Sequence, residues 1–222
     1  IIKDFGSTRA LDQADLVVKK GEIHSLLGEN GAGKTTLMKI LYGMYEPNQG
    51  EIFINGNKVV INSPKEAMNL GINMVFQHFM LIPNLSVTEN IILGQEETKL
   101  GVLSYKEARK KVMQLSEQLG LKVRPDMRVA DIPVGEKQRV EILKALYRGA
   151  DLLILDEPTA AIDPIEETRI YRKFAEISKG NTSIIVTHRL GSAKIAHRIV
   201  VMDKGKVVAI GTHDELIKQE LK

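Results

Sequence analysis

The stretch from Gly28 to Thr35 most restricts how this chain can fold, because it matches the pattern Gly-x-x-x-x-Gly-Lys-Thr in full. Glycines at both ends of the loop let the backbone curl until successive N–H groups point at one anion. A short apolar run at 23–27 precedes the loop, and a helical pattern follows over about 35–45. Strand, turn and helix in this order predict a phosphate-binding loop at the positive end of a helix. An ordinary glycine-rich turn is the alternative.

Within this loop, we expect Lys34 to reach the β- and γ-phosphates of a nucleotide, and the hydroxyl of Thr35 to bind Mg²⁺. The neighbouring backbone and side chains complete the predicted binding set. That set is Gly28, Glu29, Asn30, Gly31, Ala32, Gly33, Lys34, Thr35 and Thr36.

A pair of carboxylates follows a second apolar run, at 152–155. In an open α/β sheet such a strand delivers Asp156 and Glu157 beside the phosphate loop. Asp156 fits a Mg²⁺ contact, and Glu157 fits a general base acting on a water molecule. An acidic helix cap after a core strand is the alternative.

The rest of the pattern predicts an α/β fold with a phosphate-loop core. The runs at 152–155 and 183–186 are typical of buried strands in a parallel sheet. Residues 79–149 are mostly helical in pattern, with the longest helix predicted over 104–119 and ending at Gly120. Hairpins are expected around Asn55-Gly56 and Lys204-Gly205.

Several helix starts carry the pattern of a capping box, in which a hydroxyl residue precedes a glutamate by three positions. The pairs are Ser63 with Glu66, Ser86 with Glu89, Ser104 with Glu107, and Thr212 with Glu215.

Composition excludes several other functions. The 31 basic and 28 acidic residues give a net charge of +3, too balanced to favour nucleic acid as a partner. The chain has no cysteine, which removes disulfides, thiol chemistry and cysteine metal sites. No apolar run approaches the roughly 20 residues that span a bilayer. The chain starts at Ile1 without a methionine, so we expect a trimmed N-terminus.

These motifs and four further segments resemble the ABC ATPase family over essentially the whole chain. Gln77 matches the Q-loop glutamine, residues 133–139 stand where the signature belongs, and His188 matches the H-loop histidine. Residues 156–163 resemble the acidic pair running into the D-loop, and Phe5 matches the aromatic that stacks on adenine.

The resemblance implies roles for these residues. Lys34, Gln77, Glu157 and His188 are expected to take part in ATP hydrolysis, and Thr35, Gln77 and Asp156 to hold Mg²⁺. Phe5 is expected to contact the base, and Val134, Gly135 and Glu136 the nucleotide of a second domain. The segment 79–83 is expected to lie against a transmembrane subunit, with core packing as the alternative.

The resemblance also implies the architecture and the partners. One nucleotide-binding domain is expected over 1–222, with a core and an antiparallel β subdomain over 1–78 and 150–222, and a helical subdomain over about 79–149. Partners are expected to be separate transmembrane permease subunits and a second ABC domain, identical or homologous, in an ATP-dependent dimer. The chain would then be cytoplasmic and touch the inner face of the membrane only through those subunits.

The signature departs from the family pattern at Pro133, where serine is usual. That hydroxyl would cap the helix and bond the γ-phosphate across the dimer, and proline has neither a hydroxyl nor an N–H. We therefore expect normal ATP binding with weak closure or hydrolysis in a self-paired dimer, unless the partner supplies an intact signature. A tolerated variation is the alternative.

Different parts of the chain resemble different relatives. Residues 27–96 look like nucleoside or sugar importer ATPases, whereas 187–193 and 211–216 look more like exporter-type domains. A natural outlier and an engineered mosaic both fit this mixture. The leading interpretation is the ATPase subunit of a nucleoside or sugar importer. A non-transport ABC ATPase and an ATP-binding domain without turnover are the alternatives.

Overall fold

The computed structural model describes residues 1–95, 98–99, 102–156, 182–188 and 194–220. The described elements, in chain order, are β1 (Lys3–Phe5), β2 (Thr8–Leu11), β3 (Ile23–Leu27), α1 (Lys34–Leu41), β4 (Ile52–Ile54), β5 (Asn57–Val59), α2 (Pro64–Asn69), β6 (Ile72–Val75), α3 (Val87–Ile92), β7 (Thr98–Lys99), β8 (Val102–Leu103), α4 (Tyr105–Gln118), a 3₁₀ turn (Val129–Asp131), α5 (Val134–Tyr147), β9 (Leu152–Asp156), β10 (Thr182–Thr187), β11 (Arg198–Asp203), β12 (Lys206–Gly211) and α6 (His213–Glu220).

Six of these strands form the central sheet, in the order β12-β11-β3-β10-β9-β6. Every neighbouring pair in it is parallel except β11 and β12, which form an antiparallel hairpin at one edge. Strands β6 and β10 are buried at every residue. A strand covered on both faces needs a continuous apolar run instead of an alternating one. The predicted parallel α/β sheet is therefore confirmed.

Each face of the central sheet packs into its own hydrophobic core. Along β9, Ile154 packs into a cluster with α1 and α2, whereas Leu153 and Leu155 pack into a cluster with α3, α4 and α5. Successive side chains of a strand point to opposite faces, so one strand supplies both cores. The helices of 79–149 thus cover one face, while α1 and α2 cover the other.

Helix α1 is shorter than the sequence predicts, because it ends at Leu41 and not near 45. Gly43 has a φ of 74° and donates its N–H to the carbonyl of Ile40, while Met44 donates to that of Lys39. This pair of bonds closes a helix through a left-handed glycine. The prediction overlooked Gly43 as the stop.

The segment over 79–149 also contains more than helices. Strands β7 and β8 form a short antiparallel hairpin that the sequence did not predict. Helix α4 agrees with its prediction to within one residue at each end, and Gly120 follows it with a φ of 59°. The hairpins at Asn55-Gly56 and Lys204-Gly205 are present, with positive φ at all four residues.

The capping boxes form at some of the predicted helix starts. At α3 the box is complete: Ser86 accepts the N–H of Glu89 at 3.2 Å, and the Glu89 carboxylate accepts the N–H of Ser86 at 2.7 Å. Thr212 and Glu215 make the same reciprocal pair before α6.

The other two starts differ from the prediction. Ser63 accepts the N–H of Glu66, but the Glu66 carboxylate accepts from Asn62 and not from Ser63. Ser104 makes no side-chain capping bond, so the predicted box at α4 is wrong. In the described ranges, no helix is long and apolar enough to cross a bilayer.

The contrast between Ser86 and Ser104 gives a matched stability test. We expect Ser86→Ala to lower the free energy of unfolding by about 1 kcal/mol, because it leaves a helix N–H without its acceptor. Ser104→Ala should change it by less than about 0.5 kcal/mol, because no cap is lost. Urea unfolding with unchanged m-values measures both, and equal losses would contradict the assignment.

Candidate active site

Several of the predicted site residues lie together where four parallel strands end. In the sheet, Val186 lies opposite Asp156 and Thr187 lies opposite Leu27. Gly28, Asp156 and His188 therefore stand at the same edge. Gln77 follows the adjacent strand β6, whose last residue lies opposite Leu155. Ligands of open α/β sheets bind at this carboxyl edge.

The phosphate loop curls as its sequence predicts. Gly31 and Gly33 have φ values of 85° and 97°, which residues with a Cβ rarely adopt. The Lys34 ammonium turns back into the curl and donates to the carbonyls of Gly28 at 2.8 Å and Glu29 at 2.9 Å. Only 5% of Lys34 is exposed. The loop therefore holds a buried positive charge at the start of α1.

Thr35 and Asp156 meet beside that charge. The Thr35 hydroxyl donates to Oδ1 of Asp156 at 3.0 Å, although the two residues are far apart in sequence, and only 3% of Asp156 is exposed. Mg²⁺ prefers carboxylate and hydroxyl oxygens and takes few protein ligands when phosphates supply the rest. This donor pair fits a magnesium nucleotide whose phosphates lie on the loop.

The back of the loop is packed against other strands at van der Waals contact. A Cβ on Gly28 would lie 2.3 Å from the carbonyl oxygen of Met202, and one on Gly33 would lie 2.7 Å from that of Ala10. Space therefore requires glycine at both positions, and at Gly33 the φ of 97° requires it as well.

Gly205 supports the loop from the β11–β12 turn, and sequence analysis assigned it only to a hairpin. Its N–H donates to the carbonyl of Ala32 at 3.1 Å, and its own carbonyl accepts from Asp12 at 2.9 Å. A Cβ on Gly205 would lie 2.8 Å from the carbonyl oxygen of Ala10. A Lys-Gly turn carries no sign of such a distant contact, so the sequence could not reveal it.

The other predicted loop residues differ in exposure. Glu29, Asn30 and Gly31 are exposed, whereas Ala32 is buried and Thr36 is half-buried. Ala32 can therefore offer a ligand only its backbone. Gln77 and His188 both lie in exposed bends after their strands.

Phe5 lies in the separate β1–β2 sheet and not at the carboxyl ends of the central strands. Its exposed ring meets Tyr45 edge-on at 5.2 Å between centroids, and the Lys3 ammonium lies 5.1 Å from its centroid. An exposed aromatic ring can stack on a base, so the adenine role stays a prediction.

The signature segment begins α5, with Pro133 as its N-cap at φ −67° and ψ 160°. The Pro133 carbonyl accepts the N–H groups of Glu136 at 2.9 Å and Lys137 at 3.0 Å. Val134 and Gly135 are the first two helical residues, whose N–H groups have no acceptor within a helix. A proline therefore starts this helix without distorting it.

Glu136 does not present its side chain as predicted. Its carboxylate is buried and accepts the backbone N–H of Arg124 at 2.7 Å and the Arg124 guanidinium at 2.9 Å. Any contact of Glu136 with a nucleotide would have to use its backbone.

Some predicted residues lie outside the described residues. They are Glu157, the D-loop at 158–163 and the segment 189–193.

The two hairpin glycines allow a matched test of the loop support. Gly205 and Gly56 share a φ of 79°, but a Cβ on Gly56 would meet nothing within 4 Å. Gly205→Ala should therefore cost about 1–3 kcal/mol more stability than Gly56→Ala, and should also weaken nucleotide binding. Thermal unfolding and nucleotide titration measure both effects, and equal losses in the two variants would refute the close contact.

The chain is similar to curated importer proteins. It is 51% identical over 223 residues, covering all of this chain, to the nucleoside import ATP-binding protein NupA of Lactococcus lactis subsp. cremoris. It is 50% identical over 93% of its length to the guanosine import ATP-binding protein NupO of Bacillus subtilis. The chain spans only 44% and 41% of these two relatives. One alignment to NupA thus runs through both the importer-like and the exporter-like segments.

The chain is also similar to solved structures of ATP-binding cassettes. An ATP-binding cassette of an ABC transporter in its ADP conformation superposes with a TM-score of 0.86 at 28% identity, covering 99% of this chain and 91% of that one. A dimeric post-hydrolysis cassette bound to ADP and Pi gives 0.80 at 28% identity, with 95% and 94% covered. A family model described as ABC transporter matches residues 11–160. With its phosphate loop, sheet order and strand-edge carboxylate, this chain belongs to the ABC transporter ATP-binding family.

Proposed function

We propose that this chain binds Mg²⁺-ATP and hydrolyses it to power import through separate transmembrane subunits. The observation that carries the proposal is the meeting of the Thr35 hydroxyl and the Asp156 carboxylate beside the buried Lys34 ammonium. The ammonium suits the terminal phosphates of a nucleotide, and the two oxygen ligands beside it suit the Mg²⁺ that those phosphates bind.

The chain's own groups would divide the work. Lys34 neutralises phosphate charge, and Thr35 and Asp156 orient Mg²⁺, which when bound draws charge from the phosphate oxygens. Gln77 and His188 follow strands at the same edge and would contact the metal and the γ-phosphate. Glu157, directly after Asp156 in sequence, would act as general base for the attacking water.

Transport and assembly follow from the relatives and from the family resemblance. Nucleosides are the favoured solutes, because the nucleoside and guanosine import proteins are half identical to this chain. Permease subunits would choose the solute, and the chain would sit on the cytoplasmic face through them. We infer that 79–149 is a helical subdomain, and that the core and β subdomain take up 1–78 and 150–222.

A second ABC domain would complete the site. Val134 and Gly135 begin α5 with N–H groups directed along the helix axis, which suits a phosphate on a facing domain. The dimeric cassette with ADP and Pi supports such pairing. Pro133 offers no hydroxyl there, which favours a second candidate, an ATP-binding chain with weak turnover.

Removing the buried ammonium tests the main proposal. Lys34→Ala should lower ATP turnover by about 100-fold or more, because phosphate charge then develops without its neutralising partner. Lys65→Ala is the matched control: it removes an exposed ammonium from the first turn of α2, and turnover should stay within about twofold of the parent. Phosphate release and nucleotide titration are the measurements. Unchanged turnover in Lys34→Ala would exclude this site as the ATPase centre.

Restoring the signature serine tests the second candidate. In the assembled transporter, Pro133→Ser should raise kcat severalfold while the Kd for ATP stays unchanged, because the hydroxyl contacts phosphate only across the closed dimer. An unchanged kcat would show that the proline is tolerated and would remove this candidate.

A further inference from the structure

The main chain just after Gln77 is held by a pair of charged side chains on α5. Met80 donates its N–H to the Glu141 carboxylate, and the Lys144 ammonium donates to the Met80 carbonyl at 3.0 Å. Glu141 and Lys144 stand three residues apart, so they lie on one face of the helix. Both backbone polar groups of Met80 are thus tied to a single helix.

A second helix holds the same segment two residues further on. Asn90 of α3, which is fully buried, accepts the N–H of Ile82 at 2.7 Å and donates to the Ile82 carbonyl at 3.0 Å. The side chains of Met80 and Ile82 are 55% and 43% exposed. The backbone is therefore fixed from beneath while apolar side chains face outward. Leu81 packs against the core, as one sequence alternative expects, while docking through the exposed side chains stays a prediction.

Holding the loop through Glu141 and Lys144 costs free energy, because both charged groups lose part of their hydration. Only 5% of Glu141 is exposed, and burial raises the pKa of its carboxyl, while burial lowers the pKa of the Lys144 ammonium. Each charge partly offsets the desolvation of the other. Replacing buried charges with apolar residues is often neutral or stabilising, so the buried Glu141 carboxylate beside the half-buried Lys144 ammonium is weak evidence for a merely stabilising role.

The position of the pair on α5 suggests what it does. The helix starts with the signature segment at Val134, and Glu141 lies about two turns further along the helix. Val140, Ile142 and Leu143 are buried in the core beside α3, and such close packing transmits a displacement of one residue to its neighbours. Met80 lies three residues after Gln77.

From this geometry we propose that Glu141 and Lys144 are positioning residues that couple the segment after Gln77 to the signature helix. The clamp consists of the two hydrogen bonds that join Met80 to Glu141 and Lys144. When Gln77 shifts toward or away from bound nucleotide, Met80 shifts with it, and the clamp moves α5 and the signature. The inference rests on the proposed ATPase function for its purpose. The clamp itself can be tested without any ATP turnover.

Amide hydrogen exchange on the nucleotide-free protein tests the clamp. Glu141→Leu should speed exchange over residues 78–82 by about tenfold, because the Met80 N–H loses a charged acceptor. Glu141→Gln keeps an acceptor oxygen in nearly the same shape and should restore most of the protection, even if the leucine variant folds poorly. Asp126→Leu, which removes an exposed carboxylate paired with Arg109, is the matched control and should leave 78–82 unchanged. Parent-like exchange in Glu141→Leu would overturn the clamp.

A second measurement tests the coupling. In the parent, adding Mg²⁺-ADP should alter exchange over both 77–83 and 134–141. In Lys144→Met, which cuts only the carbonyl side of the clamp, the response should remain at 77–83 and weaken at 134–141. The Kd for nucleotide should stay within about twofold of the parent while kcat falls about tenfold, since binding and turnover separate when only positioning is lost.

The outcomes are distinguishable. A full response at 134–141 in Lys144→Met would overturn the coupling. Altered exchange in the clamp variants, with no turnover in the parent, would reject the proposed function and leave the clamp intact.

Discussion

The site depends on backbone packed against backbone behind the phosphate loop. N–H groups can converge on an anion only if the outer side of the loop needs no room for side chains. Gly28 faces the carbonyl of Met202, and Gly33 and Gly205 both face the carbonyl of Ala10. The loop, which follows β3, is therefore held by two other parts of the chain, β2 and the β11–β12 hairpin.

Strand order explains how those parts come together. β3 lies between β10 and β11, so the loop that follows it emerges beside the β11–β12 hairpin. The hairpin turn then reaches across, and Gly205 bonds to both Ala32 and Asp12. On the other side β10 and β9 bring His188 and Asp156 to the same edge. The sheet thus supports the phosphate loop on one side, through the β11–β12 hairpin, and places Asp156 and His188 on the other side.

Most of the correct predictions rest on local sequence patterns, and none rests on a contact identified in advance between side chains distant in sequence. The loop, the buried strands and Asp156 were predictable because each is encoded within a few neighbouring residues. Ser86 and Ser104 have the same local pattern, yet only Ser86 forms a box, because its ψ of 165° is the extended conformation that an N-cap needs and the ψ of 75° at Ser104 is not. The Glu141 clamp and the Gly205 support were not predictable, because their partners are distant in sequence.

Pro133 shows how structure separates two effects of one residue. Its φ of −67° suits proline, and its carbonyl accepts from two N–H groups of the first helical turn. Glu136 adds a carboxylate in that turn, held by Arg124, where negative charge favours the helix dipole. The start of α5 is thus built without a capping hydroxyl. In the proposed dimer, any cost of lacking the serine would then arise at a facing phosphate, where a hydroxyl would make contact, and not in the helix itself.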